Sequence, residues 1–457
     1  MLYRSTRGGP ERLGFREVTL RGLAPDGGLY MPETWPRLSP EGIAALRGLS
    51  YVDTAVAVMR PFLGGSISDE QLHSLCTLAY DRFAHRAVTP LVQLDARHWL
   101  LELFHGPTLA FKDVALQLLG LLFERFLGED DGHLTVIGAT SGDTGSAAID
   151  ALAGRAGIDI VMLHPHGRVS DVQRRQMTTV WAPNVHNVAI EGSFDDAQAI
   201  VKALFVDRDL AASRRLSAVN SINWARLMAQ MVYYFYAAVR LGAPERPVAF
   251  SVPTGNFGDV FAGYAAARMG LPVARLIVAT NVNDIVARAL TSGEHAPGTV
   301  VPTATPSMDI QISSNLERLL FDLDPDAVTA QMACRAFHLT DRQREGASAL
   351  FTPARVDAEA MALAMRRACD ESGQIIDPHS AVGLAAAHAV DLPADVPVVT
   401  LATAHPAKFR DAVERATGVR PSLPKRVGNL FEREERYDVL PAQVDQVREY
   451  IIARTHG

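Results

Sequence analysis

The sequence predicts an α/β fold built on parallel sheets covered by helices on both faces. Two observations carry this expectation. Short apolar runs of the buried-strand type recur at residues 100–104, 134–139, 158–163, 248–252, 275–279 and 396–402. Helical segments separate or follow them, at 108–126, 169–180, 194–206, 224–241, 258–269 and 407–417. Strands that alternate with helices form βαβ units, whose parallel sheets need helix cover on both sides. A third observation adds a module. Residues 1–90 lack the alternation; they hold the turn-rich stretch GLAPDGGLYMPETWP and helical patterns at 40–59 and 69–83. They read as a separate small N-terminal unit. Residues 335–392 yield little that can be assigned.

Composition narrows the function. The 457 residues are 48% hydrophobic and 21% charged, which suits a soluble globular protein with a large core. A formal net charge of −7 argues against a nucleic-acid binder. Cys76, Cys334 and Cys369 stand far apart and make no CxxC pair, so neither a disulfide framework nor a cysteine zinc site is expected. The N-terminal MLYRSTRGGPERLGF lacks an apolar signal core, and no run approaches the ~18–20 apolar residues of a membrane span. A cytoplasmic protein with no membrane partner is expected. His164 and His166 are close, but without an HExxH pattern or a carboxylate partner they predict no catalytic metal. No GxSxG elbow is present, which argues against a serine hydrolase.

Parallel sheets place ligand sites at the carboxyl ends of strands, and three strand-to-helix loops there carry chemistry. In Thr254-Gly255-Asn256-Phe257-Gly258-Asp259, two glycines allow a tight turn that aims N–H groups at one point before a helix start. Such a loop can hold a phosphate without a cation, although an ordinary tight loop would look the same. No Lys-Ser/Thr follows, so it is not a nucleotide P-loop. The loop Thr140-Ser141-Gly142-Asp143-Thr144 offers hydroxyls and N–H groups that suit a carboxylate; Asp143 or Thr144 could equally be a helix cap.

The third loop, His105-Gly106-Pro107-Thr108-Leu109-Ala110-Phe111-Lys112-Asp113, puts a lysine just inside an apolar helix. Burial disfavours ammonium and so favours the nucleophilic amine. The alternative is a lysine whose stem packs while its head reaches water. Only four of the 44 basic residues are lysines, namely Lys112, Lys202, Lys408 and Lys425. Guanidinium cannot replace an amine in such chemistry. Lys202 reads as a snorkelling surface residue and Lys425 as part of a connector. Lys408 follows another strand-to-helix loop and could face a ligand or solvent.

A buried lysine, a phosphate loop and an anion loop in one α/β body would together bind pyridoxal phosphate and an amino-acid carboxylate. The motifs STRG (5–8), GLAPDGGLYMP (22–32), HGPTLAFKD (105–113), GATSGDTGSAA (138–148), NSINWARLMAQ (220–230), PTGNFGD (253–259), ATNVND (279–284) and ATAHPAKF (402–409) run through nearly the whole chain. In these it resembles the threonine synthases of the longer bacterial and fungal type, among the fold-type-II pyridoxal-phosphate enzymes. HGPTLAFKD together with GNFGD is the specific part.

The resemblance implies two doubly wound α/β domains of the tryptophan-synthase-β-like kind beside the N-terminal unit. It implies a lyase of threonine biosynthesis that converts O-phospho-L-homoserine and water to L-threonine and phosphate. Lys112 would hold the cofactor as an aldimine and then carry protons at the α and β carbons. Gly255, Asn256, Phe257, Gly258 and Asp259 would cradle its phosphate, and Thr403 would meet the pyridine nitrogen. Thr140, Ser141, Asp143 and Thr144 would line the substrate carboxylate and the ring side. For the substrate phosphate the candidates are Ser170, Asn220, Asn223 and Arg226, with a structural acid partner as the alternative for Arg226. The expected division is 1–90, a cofactor-binding domain of 91–132 and 221–457, and a smaller mobile domain of 133–220. A monomer is expected. Threonine or serine dehydratases and cysteine synthases share the cofactor but usually lack HGPTLAFKD and the N-terminal unit. A phospho-lyase of the same kind would differ in product, and Lys112 argues against a non-catalytic binding protein.

Overall fold

The computed structural model describes residues 1–130, 132–218 and 221–456. Its larger sheet has six strands, in the order Phe351–Arg355, Val273–Thr280, Val248–Pro253, Val398–Ala402, His98–Glu102 and Leu91–Gln93. Neighbours are parallel except for the last pair. A second sheet has five parallel strands, in the order Asp438–Pro441, Val185–Glu191, Ile158–Pro165, Leu134–Ala139 and Leu216–Ser217. The α/β expectation holds, with helices between the strands of both sheets. Among the described residues no helix is long and apolar enough to cross a membrane.

The larger sheet explains why distant pieces of sequence meet. Its central strands Val248–Pro253, Val398–Ala402 and His98–Glu102 are parallel neighbours, with Ser251 opposite Thr400 and Thr400 opposite Leu100. Each runs at its carboxyl end into a loop, and these loops lead to Gly255, Thr403 and Lys112. The fourth loop, at Thr140, leaves strand Leu134–Ala139 of the other sheet.

Two helices form the middle of the core. Trp224–Arg240 is buried at every residue from Trp224 to Val239, and Lys112–Gly128 packs against it. A helix buried on all sides needs neighbours all round. Residues 1–80 supply some of them: Tyr3 and Phe62 lie 5.8 and 5.7 Å from the Trp224 ring. The N-terminal unit therefore has no core of its own but shares one continuous core with the body.

Several strands escaped the sequence reading for identifiable reasons. Phe351–Arg355 contains Pro353, which only an edge strand tolerates, and it does lie at the sheet edge. Val185–Glu191 is interrupted by His186 and Asn187; Asn187 is accommodated by donating to the Met177 carbonyl at 3.1 Å. Within 335–392 the helices Ala358–Ser372 and Pro378–Ala389 form.

The expected division also needs correction at its C-terminal end. Strand Asp438–Pro441 extends the five-stranded sheet by pairing with Val188–Glu191. The following helix Val444–Arg454 buries Val447 and Ile451 against Val188, Ile190, Ile200 and Leu204. Residues 438–456 therefore pack with the smaller sheet rather than with the rest of 221–457.

This packing predicts an asymmetry between neighbours. Ile451→Ala should cost about 3 kcal/mol, as for other buried isoleucine truncations. Ile452→Ala, at a side chain 39% exposed, should stay within about 0.5 kcal/mol. Urea midpoints of the two variants would distinguish them; equal midpoints would refute the docking of this helix.

Candidate active site

Lys112 opens its helix and is 9% exposed. The loop before it is held to the neighbouring strand end: Leu103 N donates to Ala402 O (3.0 Å), Phe111 N to Thr403 O (2.9 Å) and His405 N to Leu109 O (3.0 Å). A second clamp is internal. Asp113 accepts from Thr108 N at 2.8 Å and from Thr108 Oγ1 at 2.6 Å. Gly106 lies against it, since a Cβ there would stand 2.4 Å from the Asp113 Cβ. Burial pushes the Asp113 carboxyl up to about 6. The motif HGPTLAFKD is thus largely a device for placing Lys112.

The Lys112 ammonium lies 3.7 Å from Asp143 Oδ2. Burial lowers the Lys112 pKa, and Asp143 opposes that shift. The Asp143 carboxylate is engaged on its other oxygen by Lys408 Nζ (2.8 Å) and Gln173 Nε2 (2.7 Å). Against the cost of its burial, the Lys408 and Lys112 charges and the Lys408 and Gln173 hydrogen bonds hold it charged well below the usual carboxylate range. Lys408 is fully buried and also donates to the Thr108 carbonyl at 2.8 Å.

The Gly255 loop has the geometry of an anion cradle. Its carbonyls are tied back: Ser313 Oγ donates to Gly255 O at 2.7 Å, while Asn315 N and Nδ2 donate to Asn256 O at 3.1 and 3.0 Å. In a trans peptide the N–H points opposite to the carbonyl, so the N–H groups of Asn256 and Phe257 face away from residues 313–315. Phe257 adopts φ 62°, which turns the chain into helix Gly258–Arg268. The first N–H groups of that helix have no intrahelical acceptor and add positive potential. Gly255 cannot carry a side chain, because a Cβ would stand 2.6 Å from the Ser307 carbonyl.

Arg226 is 3% exposed, with Nε and Nη1 buried and unpartnered. Among the described residues it makes no salt bridge, so the structural pairing with an acid does not form. Burial pulls its pKa down to about 10. A buried guanidinium without a partner is costly, and an anion would relieve it. The Thr403 backbone N–H donates to Ser380 Oγ at 3.2 Å, and its hydroxyl makes no hydrogen bond among the described residues. Ser380 is in turn held by Asp377, the N-cap of helix Pro378–Ala389.

Other expected site residues serve differently. Asp259 takes the Tyr233 and Tyr234 hydroxyls on Oδ1 and leaves Oδ2 buried without a hydrogen-bond partner among the described residues; burial raises its carboxyl to about 6. The Thr140 hydroxyl accepts from Gly142 N and Gly145 N, both at 2.9 Å, and shapes the loop. Ser141 and Thr144 are part-exposed, with hydroxyls unengaged among the described residues. Asn223 corrects the expectation of a phosphate ligand. It is fully buried, caps Ala225 N at 3.0 Å and donates to Thr19 O at 2.9 Å. Ser170 is likewise a helix cap, its hydroxyl on Gln173 Oε1 at 2.8 Å, and reaches Asp143 only through Gln173. Asn220 lies outside the described residues. Sequence reasoning missed Gln173, Ser313 and Asn315, which act through tertiary contacts. It noticed Lys408 but gave it no role.

Comparisons with known proteins agree with this arrangement. The family model for the threonine synthase N terminus matches residues 2–80, that for pyridoxal-phosphate dependent enzymes matches 83–404, and that for the threonine synthase C-terminal region matches 380–451. The chain is 51% identical to threonine synthase of Pseudomonas aeruginosa, over 99% of this chain and 98% of that protein. The crystal structure of pyridoxal-phosphate-bound threonine synthase from Brucella melitensis superposes with a TM-score of 0.97 at 49% identity, covering 100% of both chains. The yeast threonine synthase structure gives 0.94 at 40% identity, covering 99% of this chain and 98% of that one. With the buried amine, the cradle and matches of this extent along its whole length, the chain belongs to the threonine synthase family of fold-type-II pyridoxal-phosphate enzymes.

Proposed function

We propose that this protein converts O-phospho-L-homoserine and water to L-threonine and phosphate, with pyridoxal phosphate as cofactor. The observation that carries the reading is the convergence of a buried lysine and a helix-start anion cradle at the ends of two strands of one sheet, on either side of the strand that leads to Thr403. The residues fit the cofactor. Lys112 offers the amine, the N–H groups of residues 256–259 a seat for its phosphate, and Thr403 a neutral hydroxyl for its ring nitrogen. When bound, pyridoxal phosphate supplies the electron sink for ionising C–H bonds of an amino-acid substrate.

The remaining work falls to the chain. Lys112 Nζ would move protons at the α and β carbons of the bound substrate. Burial of this amine makes its proton easier to lose than on an exposed lysine, while the nearby Asp143 carboxylate opposes that shift. Ser141, Thr144 and the N–H groups at the start of helix Asp143–Leu152 orient the substrate carboxylate. Arg226, with two unpartnered nitrogens, receives the substrate phosphate, which leaves from Cγ. Water must be kept out until Cβ is ready for it. We assign that task to movement of the lobe built on residues 133–218 against the cofactor-holding sheet.

Lys112→Ala should lower turnover by roughly 10³-fold or more and remove the visible absorbance of the cofactor-loaded protein. Normal turnover in that variant would refute the assignment of Lys112. Product analysis tests the reaction itself. Threonine with phosphate supports the reading, whereas 2-oxobutanoate with phosphate would replace it with a lyase. Asn315→Ala should weaken pyridoxal-phosphate binding by roughly 2–10-fold, because Asn256 O loses the Nδ2 donor and keeps only the backbone N–H of residue 315. A spectroscopic titration measures this, and unchanged affinity would argue against the cradle.

A further inference from the structure

The mechanism above gives no task to Lys408, a buried side chain that shares a carboxylate with Lys112. Lys408 sits on a 3-10 turn after strand Val398–Ala402, and its side chain is 0% exposed. Its ammonium bonds Asp143 Oδ1 at 2.8 Å and the Thr108 carbonyl at 2.8 Å. Lys112 reaches the other oxygen of the same carboxylate, at 3.7 Å. One buried carboxylate therefore serves two lysines unequally, and the closer one is not the proposed nucleophile.

We propose that Lys408 is a positioning residue for Lys112: by neutralising Asp143 at short range, it prevents that carboxylate from holding the Lys112 amine as ammonium. The proposal deepens the cofactor reading and concerns the same site. The physical reason is competition for one charge. An amine buried beside an unshared carboxylate stays protonated, because the pair is stabler than either charge alone. Here Gln173 and Lys408 both bind Oδ1 at hydrogen-bond distance, whereas Lys112 stands 3.7 Å from Oδ2. The ammonium of Lys408 also acts directly, since two like charges in one buried pocket repel.

The other groups facing Lys112 come from each element around it. Arg226, on helix Trp224–Arg240, adds a second repelling cation. Asp113 lies on the same helix as Lys112 and is engaged by Thr108. Asp259, on helix Gly258–Arg268, takes two tyrosine hydroxyls on Oδ1, and its Oδ2 is buried without a hydrogen-bond partner among the described residues. Burial pushes the carboxyls of Asp113 and Asp259 up to about 6. Asp143 is thus the strongest anion beside Lys112, and Lys408 is its closest cationic partner.

The sign follows. Removing the Lys408 charge takes away a repulsion and frees a carboxylate, and both changes raise the pH at which Lys112 loses its proton. The test is the pH profile of Lys112 acylation in the full-length, cofactor-free protein. A small amine-reactive anhydride serves as the probe, and mass spectrometry quantifies the Lys112 peptide. Lys408→Met should shift the midpoint upward by about one unit, which makes Lys112 roughly tenfold less reactive at pH 7. Lys408→Arg, which keeps the charge, should restore a profile close to that of the original protein. If Lys408→Met does not fold, the comparison moves to the Asp143→Asn background, where adding Lys408→Met should again raise the midpoint. An unmoved or lowered midpoint in either background would overturn the proposal and leave Lys408 as a structural tie. Uptake of pyridoxal phosphate by the unsubstituted protein separates the two readings. Its absence would sink the cofactor assignment, whereas the acylation profile judges Lys408 by itself.

Discussion

Lys112, Lys408 and Arg226 are three cations buried in one pocket, an arrangement that is unfavourable unless each charge is compensated. Lys408 is compensated by Asp143 and a carbonyl, Lys112 only partly, and Arg226 not at all on two of its nitrogens. That gradient organises the site. The well-compensated cation fixes the framework. The partly compensated one is left able to give up its proton. The uncompensated one is ready for an anion. Much of the surrounding structure can be understood as what keeps these three cations from reaching water or a better partner.

The framework around them is mostly backbone. The Lys112 loop hangs on the strand end at Ala402–Thr403 by main-chain bonds, and the cradle hangs by its own carbonyls on residues 313–315, from one main-chain N–H and the Ser313 and Asn315 side chains. Backbone bonds place a loop without depending on flexible side chains, which suits a site that must hold a phosphate and an amine in fixed relation. The side chains that take part, among them Ser313 and Asn315 at the cradle, Thr108 with Asp113 and Thr140 with two N–H groups, are short and buried.

What could be read in the sequence follows from this construction. Strand Leu134–Ala139 and helix Phe194–Val206 were legible because their side chains alone decide their place. Phe351–Arg355 and Asp438–Pro441 were not, since each is an edge strand whose position depends on a partner far along the chain. The same division holds in the site. Lys112 and the Gly255 loop announce themselves by local chemistry. Asn223 misled because an asparagine before a helix can be either a ligand or a cap, and only the Thr19 and Ala225 contacts decide. Asn315 carried no signal at all, since its role is to hold a carbonyl 59 positions away.

Arg318 is fully buried and donates at once to Tyr30 O, Ile222 O and Asn315 Oδ1. Its neighbour Glu317 is held by Thr6 and Arg7. Asn315 is the residue that orients the cradle, so the phosphate seat is braced from the first thirty residues of the chain. The N-terminal unit is therefore a buttress rather than an appendage. A chain deprived of it would keep every residue that touches the ligands and lose the wall against which one of them is set.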